Sequence, residues 1–87
     1  MARKIEIYAT ATCPYCYRAK KLLHAKGVDY EAIDVTGDPR ARAEMVRRAH
    51  GRETVPQIFV DNVHIGDCDQ IHALDARGEL DRILGLT

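Results

Sequence analysis

The sequence predicts one α/β domain whose elements follow the order strand–helix–strand–helix–strand–strand–helix, or βαβαββα. The first observation behind this is a pair of helix starts, because Pro14 and Pro39 each follow a residue that can cap a helix. The second is a hairpin signal, since Asp61-Asn62 separates two short apolar runs. At 87 residues the chain is long enough for one domain, spanning 1–87, and too short for two.

Strand-like alternation or β-rich composition marks four segments, which are 4–8, 28–35, 57–60 and 63–65. Because a helix separates the first two strands, we expect them to pair in parallel. The two-residue turn predicts that the fourth strand runs antiparallel to the third. In the second strand Tyr30, Ala32 and Val35 are expected on one face. The predicted strand core is Ile58, Phe59, Val60 and Ile65.

Helical spacing of apolar residues predicts three helices. The first starts at Pro14 and stops at Gly27, and the second starts at Pro39 and stops at Gly51. The third follows the hairpin and is interrupted near Gly78, after which Ile83 and Leu84 close the chain. The predicted buried positions are Ala19, Leu22 and Leu23, then Ala41, Met45, Val46 and Ala49, and finally Ile71, Leu74 and Leu80.

The charges sum to zero but are unevenly placed. Residues 1–30 hold six Lys and Arg against two acids, whereas residues 61–87 hold six acids against two Arg. This balance argues against nucleic-acid binding and places Arg18, Lys20 and Lys21 beside the first cysteines. No apolar run reaches the ~18 residues of a membrane span, and the start leads directly into a strand pattern, so we expect a cytoplasmic protein.

The motif with the clearest chemistry is Cys13-Pro14-Tyr15-Cys16. Two cysteines three residues apart at a helix start can form a disulfide with little backbone movement. Cys13, as the helix cap, points its sulfur at unpaired backbone N–H groups, which favour the nucleophilic thiolate. Cys16 lies deeper in the helix and is expected to be the resolving thiol. The pattern therefore predicts thiol–disulfide exchange, with Cys13 and Cys16 as catalytic residues.

Zinc binding is the main alternative for a pair of cysteines at this spacing. A structural zinc site usually takes four ligands in two close pairs. The third cysteine, Cys68, lies far along the chain near His64, and no second CxxC or CxxH is present. An odd total of three cysteines is also atypical of a secreted, disulfide-stapled scaffold.

Two further segments are candidates for ligand binding. In Thr54-Val55-Pro56, the residue before proline is extended, so Val55 can offer its backbone to a peptide laid alongside. In Gly66-Asp67-Cys68-Asp69-Gln70, a glycine precedes residues that cap a helix, and such a helix start attracts anions. Taken singly, the first segment is better explained as an ordinary loop proline before an edge strand, and a plain helix cap explains the second equally well.

Together, CPYC, TVPQIF and the glycine–cysteine–aspartate turn resemble the bacterial dithiol glutaredoxins over almost the whole chain, from Lys4 to Leu84. The resemblance implies a thioredoxin-like fold with a four-stranded mixed sheet flanked by helices. It also implies a cis Pro56 and a reductase that uses glutathione to reduce protein–glutathione mixed disulfides and protein disulfides.

The resemblance also implies how glutathione binds. Its sulfur is joined to Cys13 and its main chain pairs with Val55. The γ-glutamyl carboxylate lies at the N–H groups of Cys68 and Asp69, and the Asp69 side chain takes the ammonium. The expected glutathione-binding residues are thus Tyr15, Thr54, Val55, Pro56, Cys68 and Asp69.

Two positions depart from the family pattern. Thr10 stands where the family often has a lysine, and Arg52 is a candidate replacement for that charge. Asp67 stands where the family has a glycine, so it is expected to repel the γ-glutamyl carboxylate, to accept the ammonium, or to cap the helix. Cys68 is expected to be a spectator thiol. The four histidines are expected to be scattered on the surface, at His24, His50, His64 and His72.

Two other functions stay open. One is an electron donor reduced by thioredoxin reductase, against which Thr54-Val55-Pro56 and Cys68-Asp69 argue. The other is an iron–sulfur cluster carrier, in which two chains share a cluster through Cys13 and two glutathiones, and Pro14 and Tyr15 argue against it. We expect a monomer without a metal, whose partners are glutathione and glutathionylated or disulfide-bonded proteins.

Overall fold

The computed structural model describes residues 3–86. Its single sheet has four strands: Ile5–Ala9 (β1), Glu31–Asp34 (β2), Gln57–Val60 (β3) and Val63–Gly66 (β4). Their order across the sheet is β2-β1-β3-β4. β1 pairs with β2 in parallel and with β3 antiparallel, and β3 pairs with β4 antiparallel. The predicted mixed sheet is therefore confirmed.

Four helices flank the sheet: Pro14–Ala25 (α1), Pro39–Arg48 (α2), Cys68–Ala76 (α3) and Leu80–Ile83 (α4). The first two begin at the predicted prolines, where the missing N–H has no helical partner to lose. Gly27, with φ +72°, follows the end of α1, and Gly78, with φ +75°, lies between α3 and α4. Glycine adopts this left-handed conformation without steric cost, which explains both predicted breaks. Within residues 3–86 no helix is long and apolar enough to cross a membrane.

The core is divided between the two faces of the sheet. On one face, side chains of β1 and β3 such as Ile7 and Ile58 pack against α1, α3 and α4. On the other face, Tyr8 and Phe59 pack against α2, chiefly at Met45. The predicted strand core is confirmed for Ile58, Phe59 and Val60, and Ile65 is partly buried against the first cluster.

The second strand differs from its prediction in length and in facing. It covers Glu31–Asp34 rather than 28–35. Tyr30 packs with the α1 side of the core, whereas Val35 packs with the α2 side, and Ala32 is exposed. The expectation that Tyr30, Ala32 and Val35 share one face is wrong, because residues 30 and 35 are an odd number apart and strand side chains alternate.

The prediction of four scattered surface histidines is wrong for two of them. His24 and His50 are exposed, whereas His64 and His72 are half-buried. The His64 ring lies 5.1 Å from that of Phe59 and 5.8 Å from that of His50. Burial lowers the pKa of His64.

A buried ion pair ties α2 to the sheet. Arg48 Nη2 donates to Glu6 Oε1 at 2.9 Å, and its Nη1 donates to the Tyr8 hydroxyl at 2.9 Å. The two charged side chains are only 14% and 8% exposed. The guanidinium also lies 4.2 Å from the centre of the Phe59 ring. Because each charge is both paired and hydrogen-bonded, its removal from water is compensated.

Candidate active site

Three segments meet at one end of the sheet. β1 and β4 both finish at this end and β3 begins there, as their antiparallel pairings with β3 require. The loop to Cys13 follows β1, the segment 54–56 precedes β3, and Cys68 follows β4. The topology therefore brings together the three motifs that are far apart in the sequence.

Cys13 caps α1, as predicted. Its backbone is extended, with φ −119° and ψ 110°, and its sulfur accepts the backbone N–H of Cys16 at 3.2 Å. The sulfur also lies 3.9 Å from the carbonyl oxygen of Val55. Cys13 is partly exposed and its thiol is free. A sulfur that accepts a helix N-terminal N–H is held where a thiolate is stabilised by the helix dipole.

Cys16 occupies the opposite situation, one turn into α1. It is 2% exposed and its thiol is also free. Burial raises the pKa of Cys16 to about 11, and its contact with Cys13 acts in the same direction. The two cysteines are therefore unequal at neutral pH, because Cys13 is accessible and Cys16 is a buried, protonated thiol.

The second wall of the site is the segment before β3. The Val55–Pro56 peptide bond is cis, which confirms the expectation. The Gln57 amide donates to the Thr54 carbonyl at 3.0 Å and lies 3.2 Å from the Thr54 hydroxyl. Gln57 is itself fully buried and its oxygen lies 2.6 Å from His64 Nε2. The loop is therefore anchored to the sheet by side-chain hydrogen bonds.

The third wall is the start of α3. Asp67 Oδ1 accepts the Gln70 backbone N–H, and the Gln70 side chain accepts the Asp67 backbone N–H, each at 3.0 Å. This reciprocal arrangement is a capping box. It leaves the N–H groups of Cys68 and Asp69 without helical partners. The exposed Asp69 side chain has no ion pair within residues 3–86.

Arg52 is a groove residue that the sequence-based assignment of binding residues leaves out. Its Nη2 lies 2.6 Å from Asp67 Oδ2, and its Nη1 lies 2.7 Å from the Gln70 side-chain oxygen. Burial alone raises the pKa of Asp67, but hydrogen bonds from Gln70 and Arg52 outweigh it and the net shift is downward. The available sequence signal is a basic residue two positions before the 54–56 motif.

A groove of about 360 Å³ lies between the three walls. All six residues predicted to bind glutathione line it, together with two more, and the full set is Tyr15, Arg52, Thr54, Val55, Pro56, Asp67, Cys68 and Asp69. Cys13 lies at its edge through the contact with Val55. The predicted dithiol and the predicted binding residues therefore form one continuous site.

Cys68 differs from the dithiol in its surroundings. It is 2% exposed, and its sulfur lies 3.5 Å from His72 Nδ1, which is also 2.8 Å from the Cys68 carbonyl oxygen. Burial raises the pKa of the Cys68 thiol. A buried thiol that is held protonated is a poor nucleophile, which agrees with the predicted spectator role.

The fold and the site together define a class of protein. A thioredoxin-like domain carries an accessible cysteine at a helix N-terminus and a second, buried cysteine one turn later. A cis proline lies beside them, next to an open groove. These features define a thiol–disulfide oxidoreductase.

Comparison with known proteins places the chain within that class. The sequence profile of the family described as Glutaredoxin matches residues 5–65. Glutaredoxin 3 of Escherichia coli (strain K12) is 55% identical over 80 residues, which cover 92% of this chain and 95% of the relative. The chain belongs to the glutaredoxin family.

Solved structures agree with this assignment. The solution structure of a glutaredoxin from Brucella melitensis is 46% identical, with a TM-score of 0.85 over 98% of this chain and 91% of that chain. The crystal structure of a buckwheat glutaredoxin–glutathione complex is 28% identical, with a TM-score of 0.85 over 95% of this chain and 77% of that chain.

Proposed function

We propose that this oxidoreductase uses glutathione to reduce protein–glutathione mixed disulfides through Cys13 alone, and protein disulfides through Cys13 and Cys16. The observation that carries the proposal is the groove beside the Cys13 sulfur, which is lined by every residue predicted to hold glutathione. The related buckwheat glutaredoxin was crystallised as a complex with glutathione, which supports the same ligand for this chain.

The walls of the groove offer complementary groups for each part of glutathione. The backbone of Val55 is available to pair with the main chain of the tripeptide, and Tyr15 and Thr54 line the same groove. The unpaired N–H groups at the start of α3 suit the γ-glutamyl carboxylate. The Asp69 carboxylate, which has no ion pair within residues 3–86, suits the ammonium. Arg52 supplies a positive charge in the groove, although Thr10 stands at the position of the family lysine.

In the monothiol route, the Cys13 thiolate attacks the glutathione sulfur of a protein–glutathione disulfide. The protein thiolate leaves and takes a proton, and Cys13 is left joined to glutathione. The thiolate of a second glutathione then attacks the glutathione sulfur of this adduct. Oxidised glutathione leaves, Cys13 is regenerated, and one disulfide has been exchanged for another.

In the dithiol route, Cys13 attacks one sulfur of a protein disulfide and forms a mixed disulfide with the protein. Cys16 then loses its proton and attacks the Cys13 sulfur, which releases the reduced protein and forms the Cys13–Cys16 disulfide. Two glutathione molecules reduce this disulfide and leave as oxidised glutathione. Burial raises the pKa of the Cys16 thiol, so Cys16 must give up its proton as it attacks.

The proposal is tested by glutathione-coupled turnover of two substrates, a protein–glutathione mixed disulfide and a protein disulfide. Cys16→Ser should retain the first activity and lose the second, whereas Cys13→Ser should lose both. Cys68→Ser is the control for loss of a thiol and should retain both, because Cys68 is expected to contact glutathione through its backbone N–H and its sulfur is buried beside His72. A Cys16→Ser protein that is inactive toward the mixed disulfide contradicts the monothiol route.

The same purified protein distinguishes the two alternatives. Turnover with thioredoxin reductase in place of glutathione tests the electron-donor function, and visible absorbance after anaerobic purification tests the cluster-carrier function. Our proposal expects no turnover with thioredoxin reductase and a colourless protein.

We also propose that the protein acts in the reducing cytoplasm, which is supported by its three free cysteines and by a catalytic thiol that must stay reduced. We propose further that it acts as a monomer. Sedimentation at two protein concentrations tests the oligomeric state.

A further inference from the structure

The outer side of α1 carries charge that no neighbour neutralises. Its exposed residues Tyr17, Arg18 and Lys21, which we call the α1 face, lie on the side of the helix away from the buried Cys16 and Ala19. Within residues 3–86, neither Arg18 nor Lys21 forms an ion pair. Lys20 is not part of this face, because it is half-buried in a recess beside Asp34.

The basic side chains of the domain fall into a paired group and an unpaired group. Six of them contact a carboxylate within 4.0 Å, and these are Arg3, Lys26, Arg47, Arg48, Arg52 and Arg77. Arg52, the basic residue that lines the groove, belongs to the paired group because it contacts Asp67. Of the thirteen Lys and Arg residues, all of which lie within residues 3–86, the other seven form no ion pair, and Arg18 and Lys21 are the exposed members of this group on α1, the helix that begins at the reactive cysteine.

The α1 face is close enough to Cys13 to act on a substrate attached there. At a rise of 1.5 Å per residue, Arg18 and Lys21 lie about 7.5 and 12 Å along the helix axis from Cys13. These distances are comparable with the Debye length of about 8–10 Å near physiological salt. The exposed side chains of Tyr17 (66%) and Tyr15 (53%), in the first turn of the same helix, offer aromatic contact surface.

We propose that the α1 face docks client proteins whose reactive cysteine is flanked by aspartate or glutamate. The inference rests on the proposed function and deepens it, because it names the sequence context of the disulfides that Cys13 attacks. Charge complementarity identifies the occupant: two uncompensated positive charges favour an acidic segment and disfavour a basic one. The expected benefit is faster encounter, as is usual for charges at the rim of an interface.

The probes are three synthetic peptides of one length, each with a single cysteine joined as a disulfide to thionitrobenzoate. The cysteine is flanked on both sides by Asp, by Ser or by Lys. The Cys13 thiolate attacks the peptide sulfur and releases the coloured thionitrobenzoate anion, so the second-order rate constant is read directly and needs no glutathione. The Cys16→Ser protein is used throughout so that the reaction stops at the mixed disulfide, and Cys13→Ser provides the blank.

We expect the Asp peptide to react about tenfold faster than the Lys peptide at low salt. Raising the ionic strength from about 0.01 to 1 M shortens the Debye length from about 30 to 3 Å, and should remove most of this preference. In Arg18→Glu/Lys21→Glu, the preference should be lost or reversed. Without these two substitutions, the rate constant should be highest for the Asp peptide, intermediate for the Ser peptide and lowest for the Lys peptide.

The matched control is Lys4→Glu/Arg82→Glu, which alters the net charge by the same amount. Both residues are exposed and unpaired within residues 3–86. Both residues lie at the end of the domain opposite Cys13. Lys4 precedes β1, whereas Cys13 follows it. Arg82 is next to Asp81, whose carboxylate pairs with Lys26 just beyond the far end of α1. The control should keep most of the preference for the Asp peptide.

Three results would overturn the proposal: equal rates for the Asp and Lys peptides, a preference that survives Arg18→Glu/Lys21→Glu, or an equal loss in the control. The last result assigns the effect to net charge rather than to the α1 face. A failure of glutathione-coupled turnover contradicts the proposed function and leaves these peptide rates unaffected, so the two failures are distinguishable.

Discussion

Asp67 provides a quantitative test of how the groove is built, because two interactions converge on its carboxylate. One oxygen caps α3 through the Gln70 N–H at 3.0 Å, and the other pairs with Arg52 at 2.6 Å. The side chains of Arg52 and Asp67 are 40% and 23% exposed, so solvent screens their attraction in part. The change Asp67→Ala removes both interactions.

The expected cost follows from the two contributions. Loss of a helix cap costs about 1 kcal/mol. Loss of a half-exposed ion pair costs about 0.5–1 kcal/mol. We therefore expect Asp67→Ala to lower the free energy of unfolding by about 1.5–2 kcal/mol. The matched control is Asp38→Ala, because the Asp38 side chain caps α2 through Ala41 at 3.1 Å and has no ion pair within residues 3–86; it should lose the cap contribution alone.

Urea unfolding followed by circular dichroism measures both losses of unfolding free energy. The loss caused by Asp67→Ala should also depend on pH. The pKa of Asp67 is lowered in the folded protein. Its contribution is therefore complete above the unfolded pKa of about 3.9 and is lost as the pH falls through the lower folded pKa. An Asp67→Ala cost that does not exceed that of Asp38→Ala, or that persists unchanged at the acid end, would refute this account of the groove.

Three further predictions concern the charges and thiols of the domain. Asp67→Asn keeps the cap but leaves Arg52 unpaired, so the apparent KM for glutathione should fall about two- to tenfold at low salt and less at high salt; steady-state kinetics at two salt concentrations check this. Arg48→Met leaves the buried Glu6 charge without a partner and should lower the free energy of unfolding by about 3–5 kcal/mol in urea titrations, whereas a loss below about 1 kcal/mol would contradict the buried pair. Iodoacetamide at neutral pH should modify Cys13 and spare Cys16, whose modification should grow only as the pH approaches about 11; peptide mapping over a pH series would expose a reactive Cys16.

Much of the fold could be predicted because its boundaries depend on local chemistry. Proline after a capping residue starts α1 and α2 wherever it occurs, whatever the rest of the chain does. The turn at Asp61 and Asn62 is equally local, since both residues adopt positive φ, 50° and 68°, as a two-residue hairpin requires. The placement of Cys13 at the helix cap and of Cys16 one turn later is local too, because Pro14 starts the helix between them.

The parts that could not be predicted depend on contacts between distant residues. Glu6 and Arg48 are 42 residues apart, and Arg52 and Asp67 are 15 apart, so no local pattern pairs them. Asp67 illustrates the consequence. Its sequence position allows repulsion of a bound carboxylate, acceptance of an ammonium, or capping of a helix, and the structure shows that capping is in place and that Arg52 faces the remaining oxygen.

Mass spectrometry of a single adduct can show whether Cys13 is the residue that carries glutathione. The Cys16→Ser protein is incubated with oxidised glutathione at neutral pH, and the modified residue is located by peptide mapping. We expect one glutathione per chain, on Cys13, because this sulfur is accessible at the start of α1 and borders the groove, whereas Cys68 is 2% exposed. An adduct on Cys68, or no adduct at all, would contradict it.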